Sequence, residues 1–130
     1  MSPKVIFGNA QAEGKSRWGW FMGHFITPAD DLRSNSTLEV KWGVHQAGES
    51  RRDWAINAEA TTLSILISGK FRLQFPDTEM LLASQGDYAL WCPGVPHCWI
   101  AEEDSTILTV RWPSLPGDSK AVSQQLERDE

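Results

Sequence analysis

The sequence is short of positive charge, of tyrosine, of cysteine and of long apolar runs. Twelve Lys and Arg stand against 17 Asp and Glu, a net charge of −5 over 130 residues. Such a field repels a phosphate backbone and argues against a nucleic-acid partner. No apolar run approaches the roughly 20 residues needed to cross a bilayer, and the opening MSPKVIFGNAQAEGKSR lacks the apolar centre of a signal peptide. These absences lead to the expectation of a soluble cytoplasmic protein with no membrane partner. Cys92 and Cys98 lie too close together to close a long loop, so two free thiols are expected. No glycine-rich phosphate loop is present, no nucleophile elbow or Ser-His-Asp spacing accompanies Ser64 or Ser68, and no internal repeat occurs.

What the sequence does hold is tryptophan, seven residues against one tyrosine and five phenylalanines. Each carries a large apolar surface and one N–H in need of a partner, which calls for a large core, a cleft or an interface. The rest reads as strand after strand. Lys4–Phe7 is short and β-prone. Trp18–Ile26 is apolar on both parities, so it reads as a strand covered on both faces. Leu38, Val40, Trp42 and Val44 alternate with Glu39, Lys41, Gly43 and His45, the period of a half-buried strand. Thr61–Ser68 and Phe71–Phe75 flank the Ser68-Gly69-Lys70 turn as a hairpin. Leu81–Leu82, Tyr88–Cys92, His97–Ala101 and Thr106–Trp112 complete the set. On this pattern Trp42 and Trp112 belong to the core, and Arg72 and Arg111 fall on the polar parity.

Short strands with regular turns and no convincing long helix point to an antiparallel sandwich or barrel. The length allows one domain, residues 1–113, followed by a polar tail, 114–130, expected to be a loop and then a frayed helix or a disordered end. The two apolar faces of Trp18–Ile26 make it the expected interface of a homodimer.

Gly86-Asp87-Tyr88-Ala89-Leu90-Trp91-Cys92-Pro93-Gly94-Val95-Pro96-His97 keeps both glycines and the histidine of the motif G-x5-P-x-G-x2-H, with the proline displaced by one place. The segment resembles the second motif of the cupin superfamily. The resemblance implies an all-β, single-domain cupin-like jelly-roll β-barrel, with His97 facing its interior. The family's first motif, G-x5-H-x-H-x3,4-E-x6-G, is not kept. Gly48 and Gly69 bracket it, but Thr62 stands in the glutamate position, and the histidine positions fall on Ile56 and Ala58, or on Ala55 and Asn57. Three of the four metal ligands that the resemblance implies are missing, and one imidazole holds a divalent ion weakly.

The leading expectation is a cupin-like protein that holds a small polar ligand, sugar-like or carboxylate, without a metal or other cofactor. His97 and Trp99 share one face of a strand. Trp54 and Asn57 lie in what reads as a mouth loop, where a tryptophan and an amide suit a polar ring. Trp91 lies within the second motif, and Arg72 or Arg111, if turned inward, would select a carboxylate or phosphate. A rival expectation is a divalent-metal enzyme of dioxygenase or isomerase type using His97 with His45 or His24. A third is a non-catalytic interaction or regulatory module.

Overall fold

The computed structural model describes residues 4–122. Among them the strands are β1 (Trp20–Met22), β2 (Glu39–His45), β3 (Ser50–Asn57), β4 (Thr61–Ser68), β5 (Phe71–Gln74), β6 (Glu79–Leu82), β7 (Tyr88–Trp91), β8 (His97–Ala101), β9 (Ser105–Trp112) and β10 (Ser119–Ala121). A short helix, α1 (Ala10–Gly14), precedes them, capped by the Asn9 side chain, which accepts from the Ala12 N–H. No helix of the described residues is long and apolar enough to cross a membrane.

The strands form two antiparallel five-stranded sheets, β1-β2-β9-β4-β7 and β10-β3-β8-β5-β6. This corrects the expected closed jelly-roll barrel. Among the described residues no ladder joins an edge of one sheet to an edge of the other, so the fold is an open two-sheet structure. Alternation along short strands is common to sandwiches and barrels. Closure is decided at the edges, and these are short: three residues in β1 and β10, four in β6 and β7.

Five segments differ from the sequence reading, one of them the expected hairpin at Gly69, whose strands β4 and β5 lie in different sheets with no ladder between them. The long strand expected at Trp18–Ile26 shrinks to Trp20–Met22, because Trp18 takes the left-handed conformation and Gly19 follows at φ 102°. A side chain at Gly19 would collide with the Trp42 carbonyl, so that backbone approach demands glycine. The expected mouth loop is the eight-residue β3, hidden in the sequence because Ser50–Asp53 is polar and exposed. The polar segment after Pro113 supplies β10, held by Asp118, while residues 123–130 of the expected tail lie outside the described residues. Lys4–Phe7 forms no strand.

The space between the sheets divides in two. One part is an apolar core of Leu66, Phe71, Leu73, Leu82, Trp91, Ala101 and Ile107, with Phe75, Ala89, Val95 and Trp99 packed against it. The other is polar and lies under β2, β4 and β9. On these strands the parity is the reverse of the one expected. Lys41, His45, Thr62, Ser64, Thr109 and Arg111 turn inward, while Val44 is 51 % exposed and Trp112 39 % exposed on the outer face.

Candidate functional site

The polar half of the interior is a small chamber of about 60 Å³ that opens into a broad groove of about 1500 Å³. The chamber has room for only a few waters or one small head group. Trp20, Lys41, His45, Arg51, Trp99 and Arg111 line both spaces and so form the neck between them. The chamber floor is Thr62, Ser64, Thr109, Trp91 and His97, with Phe71, Leu73 and Ile107 on the apolar side.

Strand register explains how three cations come together. Lys41 of β2 pairs with Thr109 of β9, and Arg111 lies two residues further along β9, a diagonal neighbour on the same face. Arg51 enters from the other sheet, where it pairs with Trp99. Trp20 covers the group: its ring centroid is 4.6 Å from the Arg111 guanidinium carbon and 5.7 Å from Lys41 Nζ. A side chain at Gly43, between Lys41 and His45, would meet His45 Nε2 and Lys41 Cε, so glycine leaves part of the chamber open.

Among the described residues neither Lys41 nor Arg51 has a carboxylate within ion-pair distance. Arg111 Nη1 donates to Glu39 Oε2 at 3.4 Å, and Glu39 Oε1 accepts from Ser114 Oγ at 2.7 Å. Burial, reinforced by the positive charges of Arg111 and Arg51, pushes the Lys41 amine down to about 8. Three lining residues carry buried polar atoms with no partner: Arg111 Nε, Thr62 Oγ1 and Trp91 Nε1. Buried groups of this kind are rare and call for a partner. Ser64 and Thr109 satisfy each other, Oγ to Oγ1 at 2.9 Å.

The two chamber histidines are held neutral. His97 Nδ1–H donates to the Val95 carbonyl at 3.0 Å, which leaves Nε2 as the ring's acceptor. Burial, with Arg111 and Arg51 adding to it, lowers His97 to about 4. The Pro93-Gly94-Val95-Pro96 corner, with Gly94 at φ 81°, presents that carbonyl. His45 is lowered by burial and by Lys41; its Nδ1 lies 3.2 Å from Glu49 Oε1 and its ring 4.4 Å from that of Trp99.

Of the residues singled out from the sequence, His97, Trp99 and Trp91 line the chamber. Trp54, Asn57 and Arg72 do not. Trp54 is buried in β3. Asn57 Nδ2 donates to Asp118 Oδ2 at 3.2 Å, a tie between β3 and the loop before β10. Arg72 lies on the outside, bonded to Glu79 at 2.7 Å and Glu102 at 2.9 Å. Arg111, placed outward by the apolar-in reading, turns in, and so does His45. Lys41 and Arg51, which the sequence places on a polar strand face and in a surface run, Trp20, which it places on an interface strand, and Thr62, which stands in a motif's glutamate position, also line the chamber. Their signal was present in the shared parity of Lys41 with His45, Thr62 with Ser64, and Thr109 with Arg111.

A metal centre of the kind the second motif implies does not fit these donors. His24 is bonded to Ser114 Oγ at 2.7 Å and lies 3.7 Å from Glu39, and it does not line the chamber. Among the described residues no group of three or more His, Cys, Asp or Glu is arranged to hold a metal ion. His97 faces guanidiniums and an ammonium rather than further ligands, and no acidic residue lines the chamber.

No protein-family model and no curated protein matches the sequence. Solved structures do. An uncharacterised conserved protein with a double-stranded β-helix domain from Klebsiella pneumoniae is 17 % identical, with a TM-score of 0.60 over 68 % of this chain and 77 % of that one. A cupin-2 domain-containing protein from Shewanella frigidimarina is 19 % identical, with a TM-score of 0.52 over 61 % and 74 %. KdgF from a Halomonas species is 15 % identical, with a TM-score of 0.56 over 63 % and 74 %. The chain has a cupin-type fold. The likeness is to the fold of these proteins, here as two open sheets and not the closed jelly-roll barrel expected from the second motif, without a metal-ligand cluster among the described residues.

Proposed function

We propose that the protein binds a small carboxylate-bearing molecule, metal-free, in the chamber and its neck. Arg111 carries the reading. It is a guanidinium in the interior with one nitrogen unpartnered, beside Lys41 and Arg51, in a chain whose overall charge is −5. Largely buried Lys41 and Arg111 side by side, with the exposed Arg51 adding a third positive charge at the neck, are costly without an anion. A planar guanidinium matches a carboxylate with two parallel hydrogen bonds, and Thr62 Oγ1 offers a further donor. Trp20 and Trp99 would cover the ligand's apolar part in the neck, which extends toward the groove because the chamber admits only a head group.

The sugar-like alternative loses weight, since Trp54 and Asn57, which supported it, lie elsewhere. The test is a thermal-shift and calorimetric panel of small mono- and dicarboxylates, neutral sugars and divalent metals. Stabilisation by carboxylates that weakens with added salt is expected. Stabilisation by neutral sugars or by Mn, Ni, Zn or Fe salts alone would overturn the reading. Separately, we propose that the protein is a homodimer that pairs through the outer face of the first sheet.

A further inference from the structure

Lys41 has two properties that ordinary anion binding does not use. It stands in the neck under Trp20 and beside Arg111 and Arg51, with no carboxylate within ion-pair distance among the described residues, and burial with those two positive charges lowers its amine to about 8. At neutral pH a larger share of such an amine is unprotonated than of an ordinary lysine. The neighbours divide the work: Arg111 and Arg51 can hold a carboxylate in the same molecule whose next carbon meets a nucleophilic nitrogen. Lys41 and Arg111 are diagonal neighbours on one sheet face. Two long side chains at that separation converge on adjacent atoms of one small ligand.

We propose that Lys41 is a carbonyl-condensing amine that forms an imine with a small 2-oxo acid whose carboxylate rests on Arg111. The Nζ lone pair adds to the keto carbon, and the carbonyl oxygen becomes a hydroxyl. A C=N bond then forms as that oxygen leaves as water, carrying the two hydrogens formerly on Nζ. No oxidant, reductant or metal enters the step. The neck suits it, because Trp20 and Trp99 would limit access of bulk water to the C=N bond.

This rests on the carboxylate reading, and the experiment separates the two. The full chain is incubated at neutral pH with glyoxylate or pyruvate and then with sodium borohydride, which reduces an imine to a stable secondary amine; the product is peptide-mapped by mass spectrometry. Parallel thermal shifts use the same 2-oxo acids and the non-carbonyl acids acetate and lactate. The expected result is a reduced adduct on Lys41, on the order of tenfold more abundant than on the exposed Lys4, Lys15, Lys70 or Lys120, suppressed by excess lactate and absent in Lys41→Arg. Thermal stabilisation by all the acids with adduct only on exposed lysines, or with none, overturns the imine and leaves the carboxylate site standing. No stabilisation by any acid and no Lys41 adduct overturns both.

Discussion

His97 is placed by the motif that revealed it, and its environment sets a pH dependence. Its folded-state value, about 4, lies below the ordinary 6.5 because of burial first, with Arg111 and Arg51 adding to it. Between those two values the unfolded chain binds a proton that the folded one refuses, so stability is greatest above pH 6.5 and falls as pH drops toward 4. The loss should approach about 3 kcal/mol, read as a fall in urea midpoint across a pH series. His97→Gln should remove most of that slope, with His45, lowered in the same direction, accounting for a remainder. A slope unchanged in the variant would mean that His97 is not the group responsible. Arg111 makes a separate prediction. Arg111→Lys keeps the charge facing Glu39 but loses the planar fork, so carboxylate affinity should drop about tenfold or more with a smaller change in stability. Arg111→Met leaves Glu39 buried with Ser114 and His24 but without its guanidinium and should cost about 3–5 kcal/mol. Equal carboxylate affinity in wild type and Arg111→Lys would remove Arg111 from the site.

Asp118 does for the strands what His97 does for the chamber. Its carboxylate accepts from Glu59 N–H at 2.7 Å, from Ala60 N–H at 3.2 Å and from Asn57 Nδ2 at 3.2 Å, tying the β3–β4 connection to the start of β10. Asp118→Ala strands those donors and should destabilise the fold by about 3 kcal/mol, with Asp118→Asn costing less; urea titration of both variants checks this, and a neutral Asp118→Ala would show that β10 contributes no stability. Nothing in the sequence marks Asp118, because an acid in a polar, glycine- and proline-bearing stretch looks like any surface turn. The strands on either side of Gly69, the strands 88–91 and 97–101 and the histidine after the Pro-Gly-Val-Pro corner were legible, since turn residues and alternation act locally; the partners were not, because each of these turns carries the chain from one sheet to the other instead of closing a hairpin. The face of β2, β4 and β9 that turns inward was not. Alternation identifies two faces but assigns the apolar one to the interior only where the interior is apolar. Here Lys41, Thr62 and Arg111 surround a polar chamber, and Val40, Trp42, Leu63, Ile65 and Leu108 are left on the outer side. β3 was missed for a related reason: its exposed Ser50–Asp53 stretch carries no apolar period.

That inversion leaves the outer face of the first sheet with an unusual composition. In register across β2, β9, β4 and β7 run two rows, Val40–Val110–Leu63–Leu90 and Trp42–Leu108–Ile65–Tyr88. Neither row contains a charge, although 22 % of the chain is charged. Leu90 at 57 % exposure and Tyr88 at 59 % are open to solvent. A contiguous apolar face on a sheet of this width is the mark of a covered surface. A second copy of the same face would cover it without opposing like charges, whereas the exposed Trp18 lies outside the three-residue β1. The wild-type chain should therefore sediment at twice its 14.6 kDa mass, and Leu90→Glu combined with Tyr88→Glu should sediment as a monomer. Neither position lines the chamber, so the monomeric variant should retain carboxylate binding and its urea transition should no longer depend on protein concentration. A wild-type chain that stays monomeric at concentrations well above those used for binding would dismiss the interface, and a double variant that remains dimeric would move it to another surface.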